Sequence, residues 1–203
     1  MNKTGKYLTR ITPNENKWQK PSGCNGKCSG SLKYPLYESS IGFGWEEWLF
    51  NSKNRIGEYQ YGFLECFNKQ NFDVEVNYEE VYLYTRKCIK DTNKGTTYLV
   101  VKINNLKKLS YVEAQEKDDY FKGAIKIMQT EIPNTKNSNL RPTPSHYVFN
   151  VKFKIEDAFF ISEETEIRIS NYRFNLIELD NENKNHVSIL NEIENASFNI
   201  KIA

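Results

Sequence analysis

Alternating apolar and polar positions divide the chain into short strand-like runs separated by turns, with one helix-length segment among them. Residues 7–12 (YLTRIT) alternate and predict a first strand, stopped by Pro13. In residues 45–50 (WEEWLF), Trp45, Trp48 and Leu49 fall at i, i+3 and i+4, the face of a short helix, with Glu46 and Glu47 pointing elsewhere. Strand signals follow at 59–68 (YQYGFLECFN), at 80–89 (EVYLYTRKCI) and at 96–104 (TTYLVVKIN). In the second of these, Val81, Leu83 and Thr85 alternate with Tyr82, Tyr84 and Arg86. Asp91-Thr92-Asn93-Lys94-Gly95 predicts a hairpin turn joining the last two.

The main helix is predicted over 109–128, with Ser110 as its cap and Glu113 completing a capping box. Pro133, Pro142 and Pro144 mark a surface loop over 132–145, and 147–155 (YVFNVKFKI) returns the chain to the sheet. One or two short strands are expected within 166–179, around Asn171-Tyr172-Arg173. The Asn-rich tail from Asp180 ends in a helix or a strand within 187–202, and the pattern does not choose between them. There is no internal repeat and no heptad. The expected fold is α+β: a strongly curved, mostly antiparallel sheet of five to seven strands, or a partly open barrel, with short helices. Residues 1–179 are expected as a single ligand-binding domain, with 180–203 as its extension.

The long interval between the first strand and the short helix breaks this regularity. Residues 14–44 hold Pro21 and Pro35 with Gly23, Gly26, Gly30, Gly42 and Gly44, half of the ten glycines in the 203-residue chain. A loop of that length in a compact domain is either functional or disordered, and its Trp, Tyr and Phe content speaks for order.

Composition narrows the function. Aromatics make up 14% of residues, enough to serve both as core and as surfaces for ring stacking. The net charge of +2 excludes a protein held to nucleic acid by bulk electrostatics, so such a site would be a local patch. No apolar run reaches the roughly 18 residues of a membrane helix, and the basic N-terminus lacks a signal-peptide core, so a cytoplasmic location without membrane contact is expected. Four reduced cysteines follow from that expectation. Cys24 and Cys28 form one loose pair and Cys66 and Cys88 stand alone, a spacing that favours isolated thiols and leaves a zinc site on Cys24 and Cys28 as the alternative.

Catalytic sets are not visible. His146 and His186 have no spaced partner, and neither Gly-x-Ser-x-Gly nor a phosphate-cradling glycine loop occurs. Glu65, Glu75 and Lys87 lack metal-nuclease spacing, and no cofactor is implied. Residues 18–51 are different in kind. Trp18, Phe43 and Trp45 could wall a planar ring, with Gly42 and Gly44 on either side of Phe43 letting the backbone come close and Gly23 also in the binding set. Ser22, Glu46 or Asn51 could read its edge, and Lys27 could meet a phosphate. Lys102, Lys107 and Lys108 offer further phosphate contacts. Trp48 and Phe50 serve equally well as core.

The first strand, Trp-containing loop, short helix and curved sheet resemble the PUA superfamily, which includes the EVE, YTH and ASCH domains. The segments Lys17-Trp18…Pro21-Ser22-Gly23 and Gly42-Phe43-Gly44-Trp45-Glu46-Glu47-Trp48 also resemble N-terminal domains of modification-dependent restriction proteins. The likeness covers about the first 110 residues. It implies an aromatic cage for a flipped, modified base in DNA or RNA, in a restriction or antiviral defence protein whose nuclease or NTPase effector lies downstream or on another chain. The expected function is therefore a non-enzymatic reader of modified, methylated DNA. The alternatives are a nuclease or nucleotide-processing enzyme using Glu46 and Glu47, and a protein-interaction module.

Overall fold

The computed structural model describes residues 1–28, 42–68, 73–89, 94–132, 148–169 and 175–201. In chain order the elements are β1 (Asn2–Arg10), β2 (Arg55–Ile56), β3 (Tyr59–Gly62), β4 (Val76–Cys88), β5 (Gly95–Lys108), α1 (Tyr111–Glu116), α2 (Asp118–Glu131), β6 (Val151–Lys154), β7 (Ala158–Glu166), β8 (Ile177–Glu178), α3 (Lys184–Asn195) and β9 (Phe198–Lys201). Among the described residues four 3-10 turns punctuate them, at Trp45–Trp48, Ser52–Asn54, Glu65–Phe67 and Ile155–Asp157. The fold is α+β, one mixed sheet of nine strands with three α-helices among the described residues.

The β-branched and aromatic runs at β4 and β5 form the long central hairpin, paired from Val76↔Lys108 to Cys88↔Gly95. The strand order is β2-β3-β6-β5-β4-β1-β8; β7 shares the free edge of β5 with β6 and carries β9. Every pairing is antiparallel except β1 with β4.

Two irregularities in β5 shape the sheet. Lys107 and Lys108 pair with β6, whereas Tyr98 to Ile103 pair with β7. Between them Asn105 takes φ 52°, a left-handed conformation that Asn tolerates better than most residues. The Ile155–Asp157 turn bends the neighbouring chain at the same level, so the sheet forks. The second irregularity is a bulge. Leu83 pairs with Val101 and Tyr84 with Leu99, leaving Val100 without an opposite number. An odd extra residue reverses the faces that follow. Val101 and Ile103 pack in one cluster with Val81, Leu83 and Phe153, while Leu99 packs on the other side with Leu8, Tyr82, Tyr84 and α3. Both faces of the hairpin are thereby covered. A further cluster joins α2 to the Trp45–Trp48 turn through Phe121, Phe149, Phe43 and Trp48.

Several expectations need adjusting. The predicted helix breaks at Lys117 into α1 and α2; Ser110 caps it as expected, accepting from the Glu113 N–H at 3.2 Å. The predicted strand over 59–68 ends at Gly62 and turns through Glu65–Phe67. β7 has no counterpart in the sequence pattern, because its Glu-rich second half hides the alternation. The tail forms both a helix, α3, and a strand, β9. Residues 90–93, 133–147 and 170–174, which include most of the predicted hairpin turn, most of the proline loop, His146 and Asn171-Tyr172-Arg173, lie outside the described residues. No helix among the described residues is long and apolar enough to cross a membrane.

Candidate functional site

The interval after β1 is organised by two buried carboxylates. The Trp45–Trp48 turn carries Glu46 and Glu47 inward, and both are buried. Glu46 Oε2 accepts from the Thr12 N–H at 2.7 Å and the Thr12 hydroxyl at 2.8 Å, while Oε1 accepts from the Glu65 N–H at 3.0 Å. Burial pushes the Glu46 carboxyl up to about 7 against those hydrogen bonds, which favour the charged form. Glu47 Oε1 accepts from the Gly44 N–H at 3.0 Å and pairs with the Lys27 ammonium at 2.6 Å. Its Oε2 accepts from the Asn14 amide at 2.6 Å, the Ser22 N–H at 2.9 Å and the Ser22 hydroxyl at 3.2 Å. Lys27 also donates to the carbonyls of Gly23 and Gly42. Both ends of the loop are thus tied to one helical turn by groups that have left water.

That arrangement separates the residues proposed as a cage. Trp18 is 5% exposed, donates its indole N–H to the Thr12 carbonyl at 2.7 Å, and stacks on Phe160 with centroids 6.1 Å apart and planes 19° from parallel. Phe43 is fully buried elsewhere, edge-on to Trp45 and Trp48 at 5.5 and 5.7 Å. Trp45 is half-buried beside it. Trp18 thus packs in one cluster, and Phe43 with Trp45 in another. Lys27, Ser22, Gly23 and Glu46 hold the loop from within, and Asn51, also buried, donates to the Gln19 carbonyl at 2.6 Å. Of the three lysines, Lys102 pairs with Glu80 at 2.5 Å and Lys107 with Glu75 at 4.0 Å. Lys108 is buried, and desolvation holds its ammonium below the usual lysine range.

Cys28 departs from the expectation of reduced thiols. The Cys88 N–H bonds the Gly26 carbonyl at 2.9 Å, bringing the Cα atoms of Cys28 and Cys88 to 5.1 Å, and the two sulfurs are bonded. Cys28 is therefore not half of a zinc pair with Cys24.

A cleft lies where this loop meets the sheet. It encloses about 210 Å³ between Trp18 and Lys17 on the loop side and Tyr98, Val100 and Phe160 on the sheet side. Its origin is the bulged backbone. Val100 is the extra residue of β5, and across from it β7 loops out between Phe160, paired with Val101, and Thr165, paired with Leu99. Lys17 and Trp18 themselves take φ 52° and 53°. Such non-glycine backbone costs roughly 1–3 kcal/mol per residue, and concentrates where function holds it. The Asn14 side chain holds the turn by accepting from the N–H groups of Asn16 and Trp18 at 2.7 and 2.8 Å. Glu15, Lys17, Lys87 and Glu164 line the cleft with charges, two of each sign. Lys87 pairs with Glu164, and its ammonium sits over the Tyr98 ring, 5.1 Å from the centroid.

Of the ligand-binding and phosphate-contact residues expected from the sequence, Trp18 alone is among those lining this cleft, beside Lys17 of the same segment. Tyr98, Phe160, Lys87 and Glu164 were missed, because a strand pattern marks Tyr98 and Lys87 only as face positions and gives no sign of a bulge. Among the described residues no cluster of three or more His, Cys, Asp or Glu is placed to hold a metal ion. A comparison with protein-family models, curated proteins and solved structures returns no match to this chain.

Proposed function

We propose that this protein is a non-enzymatic binding module that takes a single planar ring into the cleft between Trp18 and Tyr98, the ring being a base extruded from nucleic acid. The observation that carries the reading is the cleft itself, with aromatic walls and strained backbone at Lys17 and Trp18. Drug-sized ligands fill cavities of about 300–1,000 Å³, so about 210 Å³ suits one ring system.

The magnitudes lie close together, and the few kcal/mol of base extrusion must be offset by phosphate contacts. A ring lying on Tyr98 displaces Lys87, losing an exposed cation–π contact of about 0.5–1 kcal/mol and a surface ion pair of about 0–1 kcal/mol. Stacking of a base returns about 1–3 kcal/mol, and the released ammonium can then meet a phosphate. A PUA-like reader of methylated DNA, serving a restriction or defence protein with a downstream or separate nuclease or NTPase, is the specific form of this proposal; it rests on the resemblance over about the first 110 residues, with the segments 17–23 and 42–48. Catalysis by Glu46 and Glu47 is not favoured, since all four of their carboxylate oxygens already accept protein donors.

The test is binding of a duplex carrying 2-aminopurine opposite an abasic position, read by its fluorescence. Tyr98→Ala should weaken binding by about 5- to 150-fold, the worth of one stacked base. Lys87→Ala should flatten the dependence on salt, and Trp45→Ala should leave binding unchanged. Equal affinity in wild type and Tyr98→Ala would overturn the reading. The even balance of charge at the rim favours one second reading, a free nucleoside or similar small ring. Salt-independent binding of adenosine, with no duplex binding, would select it.

A further inference from the structure

The cleft has two walls from distant parts of the chain, and one covalent bond joins them. Asn14, Glu15, Lys17 and Trp18 form the loop wall, and Lys87 belongs to the wall on the sheet. Cys28 ends the described part of the loop, and Cys88 directly follows Lys87 at the end of β4. The Cys28–Cys88 bridge therefore ties the loop to the strand end one residue from the rim. A backbone bond, from the Cys88 N–H to the Gly26 carbonyl, accompanies it at that point. Further along, the described part of the loop is bound to the Trp45–Trp48 turn through Glu47.

We infer that the Cys28–Cys88 disulfide is a redox-sensitive clip that sets the spacing of the cleft, so that the oxidised protein binds its ring ligand and the reduced protein binds it poorly. The inference rests on the ring-binding reading for its ligand, but the clip itself does not. Reduction by a dithiol proceeds through a mixed disulfide. One thiolate of the reductant attacks a bridge sulfur and releases the other as a thiolate, which takes a proton. The second reductant thiolate then closes on the first, expelling the remaining cysteine. Two electrons and two protons end on Cys28 and Cys88, and the reductant leaves as a cyclic disulfide. With the bridge gone, the covalent tie between the loop and the strand end is lost, the Gly26 hydrogen bond remains, and the walls that carry Lys17 and Lys87 are free to part.

Hydrogen exchange on the whole chain, with and without dithiothreitol, tests the clip without any ligand. Non-reducing peptide mapping should first find residues 28 and 88 cross-linked. Exchange at the Lys27, Cys88 and Trp18 amides should accelerate about tenfold or more on reduction and recover on reoxidation, while core amides of β5 do not change. Cys88→Ser should behave as reduced wild type, and Cys24→Ser as oxidised wild type. The 2-aminopurine duplex, bound in parallel, should lose about tenfold in affinity on reduction, a change of about 1.4 kcal/mol. No cross-link under air or diamide, or unchanged exchange on reduction, overturns the clip. Redox-dependent exchange with no probe binding in either state supports the clip and overturns the ring-binding reading. Should Cys88→Ser fail to fold, the reversible change in wild type decides alone.

Discussion

Glu46 and Glu47 adjoin in sequence and are both buried, yet they are satisfied differently. Glu47 has a cation, Lys27; Glu46 has only neutral donors. The Glu46 carboxyl is accordingly raised, from 4.5 to about 7, and the folded protein holds its proton more tightly than the unfolded chain does. The stability associated with that proton is fully present below about pH 4.5 and is lost as pH rises through about 7. Urea unfolding should show wild type weakening by on the order of 3 kcal/mol between pH 4.5 and 8 from this group, with Glu46→Gln flattening the slope. An identical slope in the variant would assign the effect elsewhere. For the ion pair, Lys27→Met should cost about 3–5 kcal/mol, because it strands a buried carboxylate. A double-mutant cycle with Glu47→Gln should be strongly non-additive.

At the scale of elements, Gly62 shows how closely β3 meets the segment after the aromatic turn. A Cβ there would lie 2.5 Å from Leu49 Cδ1 and 3.2 Å from Leu49 Cα, so relief needs backbone movement. Gly62→Ala should therefore cost about 1–3 kcal/mol, measured by thermal or urea unfolding, although alanine is otherwise a harmless exchange. A neutral result would mean that the turn slides along β3 freely. The elements themselves were legible in the sequence wherever alternation was uninterrupted, as in β4 and β5. β7 was not legible, since its charged second half sits at a bulge where faces are reassigned. The candidate site suffered most from this. Trp18, Phe43 and Trp45 are aromatic and near one another along a glycine-rich loop, but whether rings share a cavity depends on long-range pairing. Here Trp18 goes to Phe160 and Phe43 goes to Trp48 and α2's cluster.

For the whole molecule, the fork in the sheet matters more than the number of strands. Because β6 and β7 divide one edge of β5, the sheet carries separate flanks. The β3–β6 flank packs with α2 through Tyr61 and Phe121, and the β7–β9 flank presents the cleft. The clip between residues 28 and 88 closes a loop of 60 residues, which the chain-entropy view values at about 4 kcal/mol of stability. Lys27 and Cys28 are neighbours, so the ion pair and the bridge fasten the same end of the loop by independent means.

β1 is sandwiched between β4, through Tyr7↔Val81, and β8, through Tyr7↔Glu178. It is the first of the nine strands to leave the ribosome, and its second neighbour emerges last but one. At about 5–20 residues per second, β1 waits roughly ten to thirty seconds before both its edges can be filled. During that interval its backbone is open to wrong partners. Filling both edges of β1 accordingly requires that the chain has emerged as far as Glu178, and until then β1 is a template on which a misplaced strand can pair.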